Sequence, residues 1–198
     1  MSLIYSGQLR ARAQQGQQFT KSAGRIKLEA ALESHDERPF DIFLSHSKLD
    51  EEEIHGLKLM LEDYGHSVYV DWIEDPHLDR EKVSKETAEL LRARMKSSRS
   101  LLYVTSANSV KSKWTPWELG FKDGSTGRAA VLPVVANETS IDAYDGVEYL
   151  ALYPYLSEYP NDQGEKCLWI NWAHNNYVDL DAWLNGKDPY QRKPSTPD

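Results

Sequence analysis

Four short apolar segments alternate with three amphipathic segments in the middle of this chain, and this alternation limits the possible folds more than any other feature. The apolar segments are rich in strand-forming residues and short enough to be buried strands. Strand–helix alternation with short loops predicts right-handed crossovers, and therefore an α/β fold with helices on the faces of a parallel sheet. The predicted strands are residues 40–45, 67–72, 99–105 and 129–136, and the predicted helices are residues 50–64, 83–95 and 115–122.

The first predicted helix has signals at both of its ends. Asp50 is followed three residues later by Glu53, the pattern of a capping box, and Gly65 is a natural C-cap. After the third predicted helix, the run of small and polar residues at 123–127 predicts a turn.

Beyond residue 138 the pattern predicts smaller elements. These are a fifth strand at 147–152, a hairpin or two edge segments at 155–159 and 166–171, and a short helix at 178–184.

The two ends of the chain differ from its middle. Residues 8–33 carry apolar residues at helical spacing, interrupted by a stretch rich in glutamine and glycine, and the last residues hold three prolines and few apolar groups. We therefore divide the chain into three parts. They are an N-terminal basic extension that is a candidate helix (1–38), a main domain (39–185) and a flexible tail (186–198).

Charge is distributed unevenly along the chain. Residues 1–28 carry five basic residues and no acidic one, so the rest of the chain must have a net charge of −13, five more negative than the −8 of the whole. Such an acidic body argues against a nucleic-acid groove, which needs clustered basic residues. The basic arm is either a solvated leader, which we favour, or a segment that contacts an acidic neighbour, a nucleic acid or a membrane surface.

Composition excludes several other classes of protein. No apolar run approaches the ~20 residues needed to span a bilayer, so no membrane span is expected. The first residues lack the features of a secretory signal, and a single cysteine, Cys167, fits a reducing cytoplasm. The six histidines show no metal-ligand spacing, so neither a metal nor another cofactor is predicted.

One acidic residue, Glu118, stands near two tryptophans, Trp114 and Trp117, at the start of a predicted helix. This helix follows a buried strand, and loops at the carboxyl ends of parallel strands bind ligands in open α/β sheets. An acid beside aromatic faces suits a flat, cationic heterocycle attached to a sugar. The alternative is structural, because Thr115 and Glu118 also form a capping box, and spacing alone favours that cap.

Four motifs in this order resemble the Toll/interleukin-1 receptor (TIR) domain family, over roughly residues 40–136. They are DIFLSH at 41–46, VYVD at 68–71, SSRSLLYVTS at 97–106, and SKW at 112–114 followed by Glu118. The resemblance implies a flavodoxin-like open parallel sheet of about five strands. It also implies self-association, in which the loop at residues 72–82 is the expected contact and Asp75, Asp79 and Arg80 are candidates for pairing across subunits.

The resemblance also implies a function. Enzymes of this family cleave NAD+ between nicotinamide and ribose, giving ADP-ribose or a cyclic isomer, and bacterial members act as defence effectors against phage. Such an enzyme has NAD+ as substrate, an upstream activator and a downstream effector as possible partners, and Glu118 as its catalytic residue. The alternatives are a non-catalytic TIR scaffold that binds other proteins and, from the fold alone, a nucleoside-processing transferase.

The remaining candidate site residues follow from where this family binds its nucleotide. Phe43, Ser45 and His46 end the first strand, Asp71 and Trp72 end the second, and all five are expected to line the substrate cleft together with Trp114. For Asp71 the alternative is a structural role as the cap of the turn that follows it. Trp114 stands four residues before Glu118 and should share its side of the helix, whereas Trp117 is expected to pack in the core. Ser45 and His46 are adjacent and should point in opposite directions, which argues against a nucleophilic Ser–His pair.

Overall fold

A computed structural model of the protein describes residues 2–16, 39–77, 83–109, 112–137, 146 and 148–191. The strands are β1 (Ile4–Tyr5), β2 (Ile42–Ser45), β3 (Val68–Tyr69), β4 (Ser100–Thr105), β5 (Ala129–Val135), β6 (Tyr155–Pro160), β7 (Lys166–Ala173), β8 (Asn176–Asp179) and β9 (Tyr190–Gln191). The helices are α1 (residues 6–16), α2 (Glu51–Asp63), α3 (Asp71–Glu74), α4 (Lys85–Ser97), α5 (Thr115–Thr126) and α6 (Leu180–Leu184). Two 3-10 segments, Lys48–Asp50 and Glu148–Leu152, complete the described elements.

These strands form one mixed sheet in the order β3-β2-β4-β5-β6-β7-β8-β9, and β1 pairs with the end of β5. Strands β3, β2, β4, β5 and β6 are parallel, and β6 to β9 pair as antiparallel neighbours. The predicted α/β fold, an open parallel sheet flanked by helices, is confirmed. The sheet is wider than expected because the antiparallel strands extend it beyond β6.

Side chains alternate between the two faces of the sheet, and each face carries its own core. On one face, Leu44, Leu102 and Leu132 pack with residues of α1, α2 and α6. On the other face, Phe43 and Tyr103 pack with residues of α4 and α5. Successive residues of a strand therefore pack against different sets of helices, one set on each face of the sheet.

The N-terminal segment packs against the body of the protein. Leu3, Ile4, Leu9 and Ala13 are buried, and β1 pairs with β5. The expectation of a solvated leader is therefore wrong for residues 2–16. Residues 17–38 lie outside the described part of the chain, and the predicted division of the chain at residues 39 and 186 stays a prediction.

Charge and close packing hold α1 on α2. Arg10 donates to Glu53 at 2.8 Å and Arg12 donates to Asp63 at 2.6 and 2.8 Å, so the acidic neighbour of the basic arm belongs to this chain. The helices approach each other at Gly56, where a Cβ atom would stand 1.9 Å from the carbonyl oxygen of Leu9. Only glycine allows this approach of the two backbones.

Two predicted boundaries inside the core region are corrected. The second strand was expected at 67–72, but β3 ends at Tyr69 and α3 begins at Asp71, whose side chain accepts the amide hydrogen of Trp72. The turn expected at 123–127 is helical through Thr126, and α5 ends at Gly127 with φ 63°. A glycine in the left-handed conformation is a frequent helix stop, whereas Gly124 is tolerated inside the helix.

The C-terminal part is partly as predicted. The hairpin is confirmed as β6 and β7, but the fifth strand expected at 147–152 is wrong, because Glu148–Leu152 is a 3-10 segment. Short apolar runs cannot be assigned to strand or helix by periodicity alone. The predicted helix at 178–184 begins at Leu180, after β8, and Tyr190–Gln191 of the predicted tail forms β9. Among the described residues, no helix combines the length and the apolar character needed to cross a membrane.

Candidate active site

The carboxyl ends of β2, β3 and β4 and the first turn of α5 meet at one edge of the sheet. Parallel strands bring their ends to the same edge, and helix α5 begins there because it follows β4. This is the position at which open α/β sheets bind ligands.

Glu118 and Ser45 form the centre of this edge. The Ser45 hydroxyl donates to Oε2 of Glu118 over 2.6 Å, and both residues have 0% exposed surface. Ser45 lies on the same face of β2 as Phe43, the face that α5 covers, so strand parity directs its hydroxyl at the helix. A short hydrogen bond from a hydroxyl to a carboxylate is among the strong ones and fixes the orientation of the acid.

The capping box predicted for Thr115 and Glu118 does not form. The N-cap of α5 is Trp114, whose side chain makes no cap hydrogen bond, and Pro116 stands in the first turn of the helix. The Glu118 carboxylate is turned toward Ser45, and the Thr115 hydroxyl lies 3.4 Å from the hydroxyl of Tyr103. Both side chains of the expected cap therefore point into the protein, and a role of Glu118 in substrate chemistry stays a prediction.

His46 and Asp71, at the ends of β2 and β3, form a second buried pair and are 2% exposed each. Nδ1 of His46 is 2.8 Å from the carbonyl oxygen of Leu44, which can only accept, so this nitrogen carries a proton. Nε2 of His46 is 3.4 Å from Oδ1 of Asp71. Ser45 and His46 thus have different partners, and they do not form a nucleophilic pair.

Phe43 and Trp72 use their rings in packing. Phe43 stacks on Tyr69 with 4.9 Å between ring centroids, below Ser45 on the same face of the sheet. Trp72 is half-buried, packs against the core on the other face, and meets His55 edge-on at 6.5 Å. The geometry therefore pairs Ser45 with Glu118 and His46 with Asp71, while the rings of Phe43 and Trp72 pack in the two cores. A substrate contact by any of these residues stays a prediction.

Trp114 is 7% exposed and meets Trp117 edge-on, with 5.5 Å between ring centroids. Trp117 is half-buried, stacks on Phe121, and lies under the guanidinium of Arg92 at 5.2 Å. The two tryptophans line a shallow cavity of about 250 Å³ between the first turns of α4 and α5. Its other lining residues are Val83, Ala88, Arg92 and Lys113. A substrate contact by Trp114 stays a prediction.

In the part of the chain that the structure describes, no three His, Cys, Asp or Glu side chains are grouped so that they could hold a metal ion.

Comparison with known proteins identifies the family to which this chain belongs. The profile of the TIR domain matches residues 42–183, from the start of β2 into α6. The chain belongs to the TIR domain family. It is 48% identical over 165 residues to the probable 3′ cyclic ADP-D-ribose synthase ThsB′ of Bacillus cereus, covering 82% of this chain and 84% of that protein. It is also 34% identical over 83 residues to TIR2 of Cytobacillus dafuensis, which carries a cyclic ADP-D-ribose synthase name. That match covers 41% of this chain and 22% of TIR2.

Sequence patterns did not point to Tyr103 as part of the site in this TIR domain. Burial raises the pKa of Tyr103, with hydrogen bonds to Thr115 and Tyr149 and the nearby Glu118 carboxylate as smaller influences. A buried phenol next to the acid keeps its proton and can donate it in a hydrogen bond. The residue was interpreted only as an apolar strand position, and its register opposite Ser45 is visible only in the sheet.

The loop that follows β3 in this TIR domain is anchored inside its own chain. Asp75 accepts two hydrogen bonds from Arg94, at 2.8 and 2.9 Å, and one from the Tyr69 hydroxyl at 2.7 Å. Burial alone would raise the pKa of Asp75, but the bonds from Arg94 and Tyr69 hold it below its ordinary value. Asp75 therefore has partners inside its own chain. Its pairing across subunits stays a prediction, and Asp79 and Arg80 lie outside the described residues.

A buried lysine holds α5 against α4 one turn after Glu118. Lys122 has no exposed surface, and its ammonium donates to the carbonyls of Met95 (2.9 Å) and Ser98 (2.5 Å) at the end of α4. A cation at this position suits the negative end of the helix dipole. Burial nevertheless lowers the pKa of Lys122 to about 8.

Proposed function

We propose that this TIR domain cleaves the nicotinamide–ribose bond of NAD+ and closes the ADP-ribose part into a cyclic ADP-ribose. The observation that carries the proposal is the buried Glu118 carboxylate, held by Ser45 at the ligand-binding edge of the sheet. Both relatives are named as cyclic ADP-D-ribose synthases, one as a probable and one as a putative one, and these names support the cyclic product over the linear one.

A single carboxylate is enough for this chemistry. The bond between C1′ of the ribose and the nicotinamide nitrogen breaks, its electron pair stays on the nitrogen, and nicotinamide leaves as a neutral molecule that needs no general acid. The ribose carbon becomes positively charged, and an adjacent anion stabilises that charge. Ser45 holds the Glu118 anion in place beforehand, so little reorganisation is needed when the charge develops.

The second half of the reaction closes the ring. A nucleophile on the adenosine side of the same molecule attacks the ribose carbon, and when it is a hydroxyl it loses its proton, for which Glu118 is a suitable acceptor. Water attack would give linear ADP-ribose instead. Exclusion of water from the complex with NAD+ would favour the internal nucleophile.

The burial of Glu118 implies a conformational step. Glu118 has no exposed surface, so NAD+ reaches it only after the surrounding loops move apart. We therefore propose that self-association or an activating partner opens the site. A cytoplasmic location and a role in anti-phage signalling, in which a downstream effector reads the cyclic product, belong to the same proposal.

The complete burial of Glu118 also suits the second candidate, a non-catalytic TIR scaffold that acts through protein contacts. One experiment separates the two functions. Purified protein is incubated with NAD+ over a wide range of protein concentrations, and nicotinamide, linear ADP-ribose and cyclic ADP-ribose are resolved by chromatography.

We expect nicotinamide and a cyclic product from the natural chain, and about 10²- to 10³-fold slower formation of both from Glu118→Gln. Glu53→Gln is the matched control, because it removes a carboxylate that pairs with Arg10 on the opposite face of the sheet. If no nicotinamide appears at any protein concentration, including with an added bacterial lysate as a source of activator, the scaffold is the better assignment.

A further inference from the structure

Asp50 is a buried carboxylate that joins two loops of the candidate active site. It is 6% exposed, its Oδ2 accepts from the Ser106 hydroxyl, and its Oδ1 accepts from the side-chain amide of Asn108 over 2.7 Å. Asp50 ends the loop between β2 and α2, and Ser106 and Asn108 lie in the loop between β4 and α5. The bridge therefore spans the two chain segments that follow Ser45 and precede Glu118.

This bridge replaces the role that the sequence pattern predicts for Asp50. Asp50 is the N-cap residue of α2, but its side chain makes no cap hydrogen bond. Its expected partner in the capping box, Glu53, accepts from Arg10 instead. A carboxylate at a helix N-terminus remains stabilised by the helix dipole, so the bridge can form while that benefit is kept.

Each of the two loops is tightly folded where the bridge attaches. In the β2–α2 loop, the Asp50 amide donates to the Ser47 carbonyl at 3.1 Å. In the β4–α5 loop, the Asn108 amide donates to the Ser106 hydroxyl at 3.0 Å, and the Ser109 hydroxyl donates to the Ser106 carbonyl at 2.9 Å. A restraint applied by Asp50 is therefore transmitted to the folded segments at residues 47–50 and 106–109.

We propose that Asp50 is a positioning residue for the reaction, a proposal that rests on the proposed function. By tying the loop after Ser45 to the loop that leads into α5, it keeps the Ser45–Glu118 pair aligned when the site opens for NAD+. Asp50 acts through these loops and does not itself touch the substrate. Loss of the bridge lowers turnover because the Glu118 carboxylate is held less accurately against the ribose.

The kinetic test uses Asp50→Ala, Ser106→Ala and the double variant, with Glu53→Ala as the control acid from the same helix turn. We expect each single variant to lower kcat about 10- to 100-fold, as small misplacements of catalytic groups do, while KM changes less than about threefold. The double variant should be no slower than Asp50→Ala, because both changes remove one bridge. The control should keep its kcat.

Asp50→Asn tests whether turnover depends on the hydrogen bonds of Asp50 or on its negative charge. Its side-chain oxygen can still accept from Asn108 and its amide can donate to the Ser106 oxygen, so the bridge is retained without the charge. We expect Asp50→Asn to recover most of the turnover that Asp50→Ala loses. Equal loss in both variants, or additive losses in the double variant, would overturn the positioning role.

Hydrogen exchange tests whether the Asp50 bridge restrains residues 106–109, and it does so even if the natural chain is inactive on NAD+. In Asp50→Ala the backbone amides of residues 106–109 should exchange at least about tenfold faster, whereas Glu53→Ala should leave them unchanged. Unchanged exchange at these amides in Asp50→Ala would refute the bridge itself. Inactivity of the natural chain together with faster exchange in Asp50→Ala would refute the enzymatic function and leave the bridge standing.

Discussion

Replacing Glu118 by glutamine separates its electrostatic role from its place in the core. Glutamine keeps the size of the side chain and an oxygen that accepts from Ser45, so the hydrogen bond of 2.6 Å has a counterpart in the variant. That bond changes from a charged one, about 1.5–3 kcal/mol, to a neutral one, about 0.5–1.5 kcal/mol. Burying a charged carboxylate costs free energy of desolvation, and the neutral glutamine avoids that cost. Part of the loss in hydrogen-bond strength is therefore offset.

The expected net change in the free energy of unfolding is therefore within about 1 kcal/mol, or a melting shift within about 4 °C for a chain of this length. No cap is lost, because Glu118 does not cap α5. Activity should fall about 10²- to 10³-fold, the usual effect of removing a preorganised group that stabilises charge in a transition state.

Ser45→Ala is the companion variant. It leaves the carboxylate in place without this donor, so we expect a loss of about 1.5–3 kcal/mol in stability and a smaller loss of activity than in Glu118→Gln. Melting curves and the rate of nicotinamide release are measured on both variants. A Glu118→Gln variant that cleaves NAD+ at nearly the natural rate would refute the electrostatic role, and one that melts more than 10 °C lower would make Glu118 a structural residue.

Three further outcomes are expected. The unfolded chain keeps the Lys122 proton up to its ordinary pKa of 10.5 while the folded chain loses it near 8, so stability should rise between these pH values by up to about 3 kcal/mol. Urea unfolding of Lys122→Met should lack this rise. Gly56→Ala places a Cβ against the Leu9 carbonyl and should lower the free energy of unfolding by about 1–3 kcal/mol or more. Proteolysis of residues 2–16 should become faster. Specific activity should increase with protein concentration, and a flat dilution series from a monomer by light scattering would contradict self-association.

The elements and the location of the site were predictable from local patterns. Residues 42–45, 100–105 and 129–135 are strands because short apolar runs flanked by amphipathic helices have few other stable arrangements. Their alternation with helices also placed Glu118 at the carboxyl edge of the sheet, since a crossover helix always starts at the end where the preceding strand stops.

The partners of the site residues could not be predicted in the same way. A local cap of Glu118 on α5 and a distant bond to Ser45, 73 residues earlier in the chain, differ by only about 1 kcal/mol in intrinsic strength. Packing decided between them, because burial of Ser45 on the face that α5 covers leaves its hydroxyl no water to bind. Packing likewise explains why Asp50 does not cap α2 and instead accepts hydrogen bonds from Ser106 and Asn108.

The sequence by itself therefore determined the main strands and helices between residues 40 and 136, that these strands run parallel, and at which edge of the sheet the acid lies. Only the tertiary structure decided what each polar side chain binds, that α1 packs on α2 through Gly56, and that Asp75 is held by Arg94 of its own chain. The physical reason is the distance along the chain over which each kind of interaction acts. Periodicity and turn chemistry act over a few residues, whereas a buried polar group must find its partner among whatever the completed fold places within about 3 Å of it.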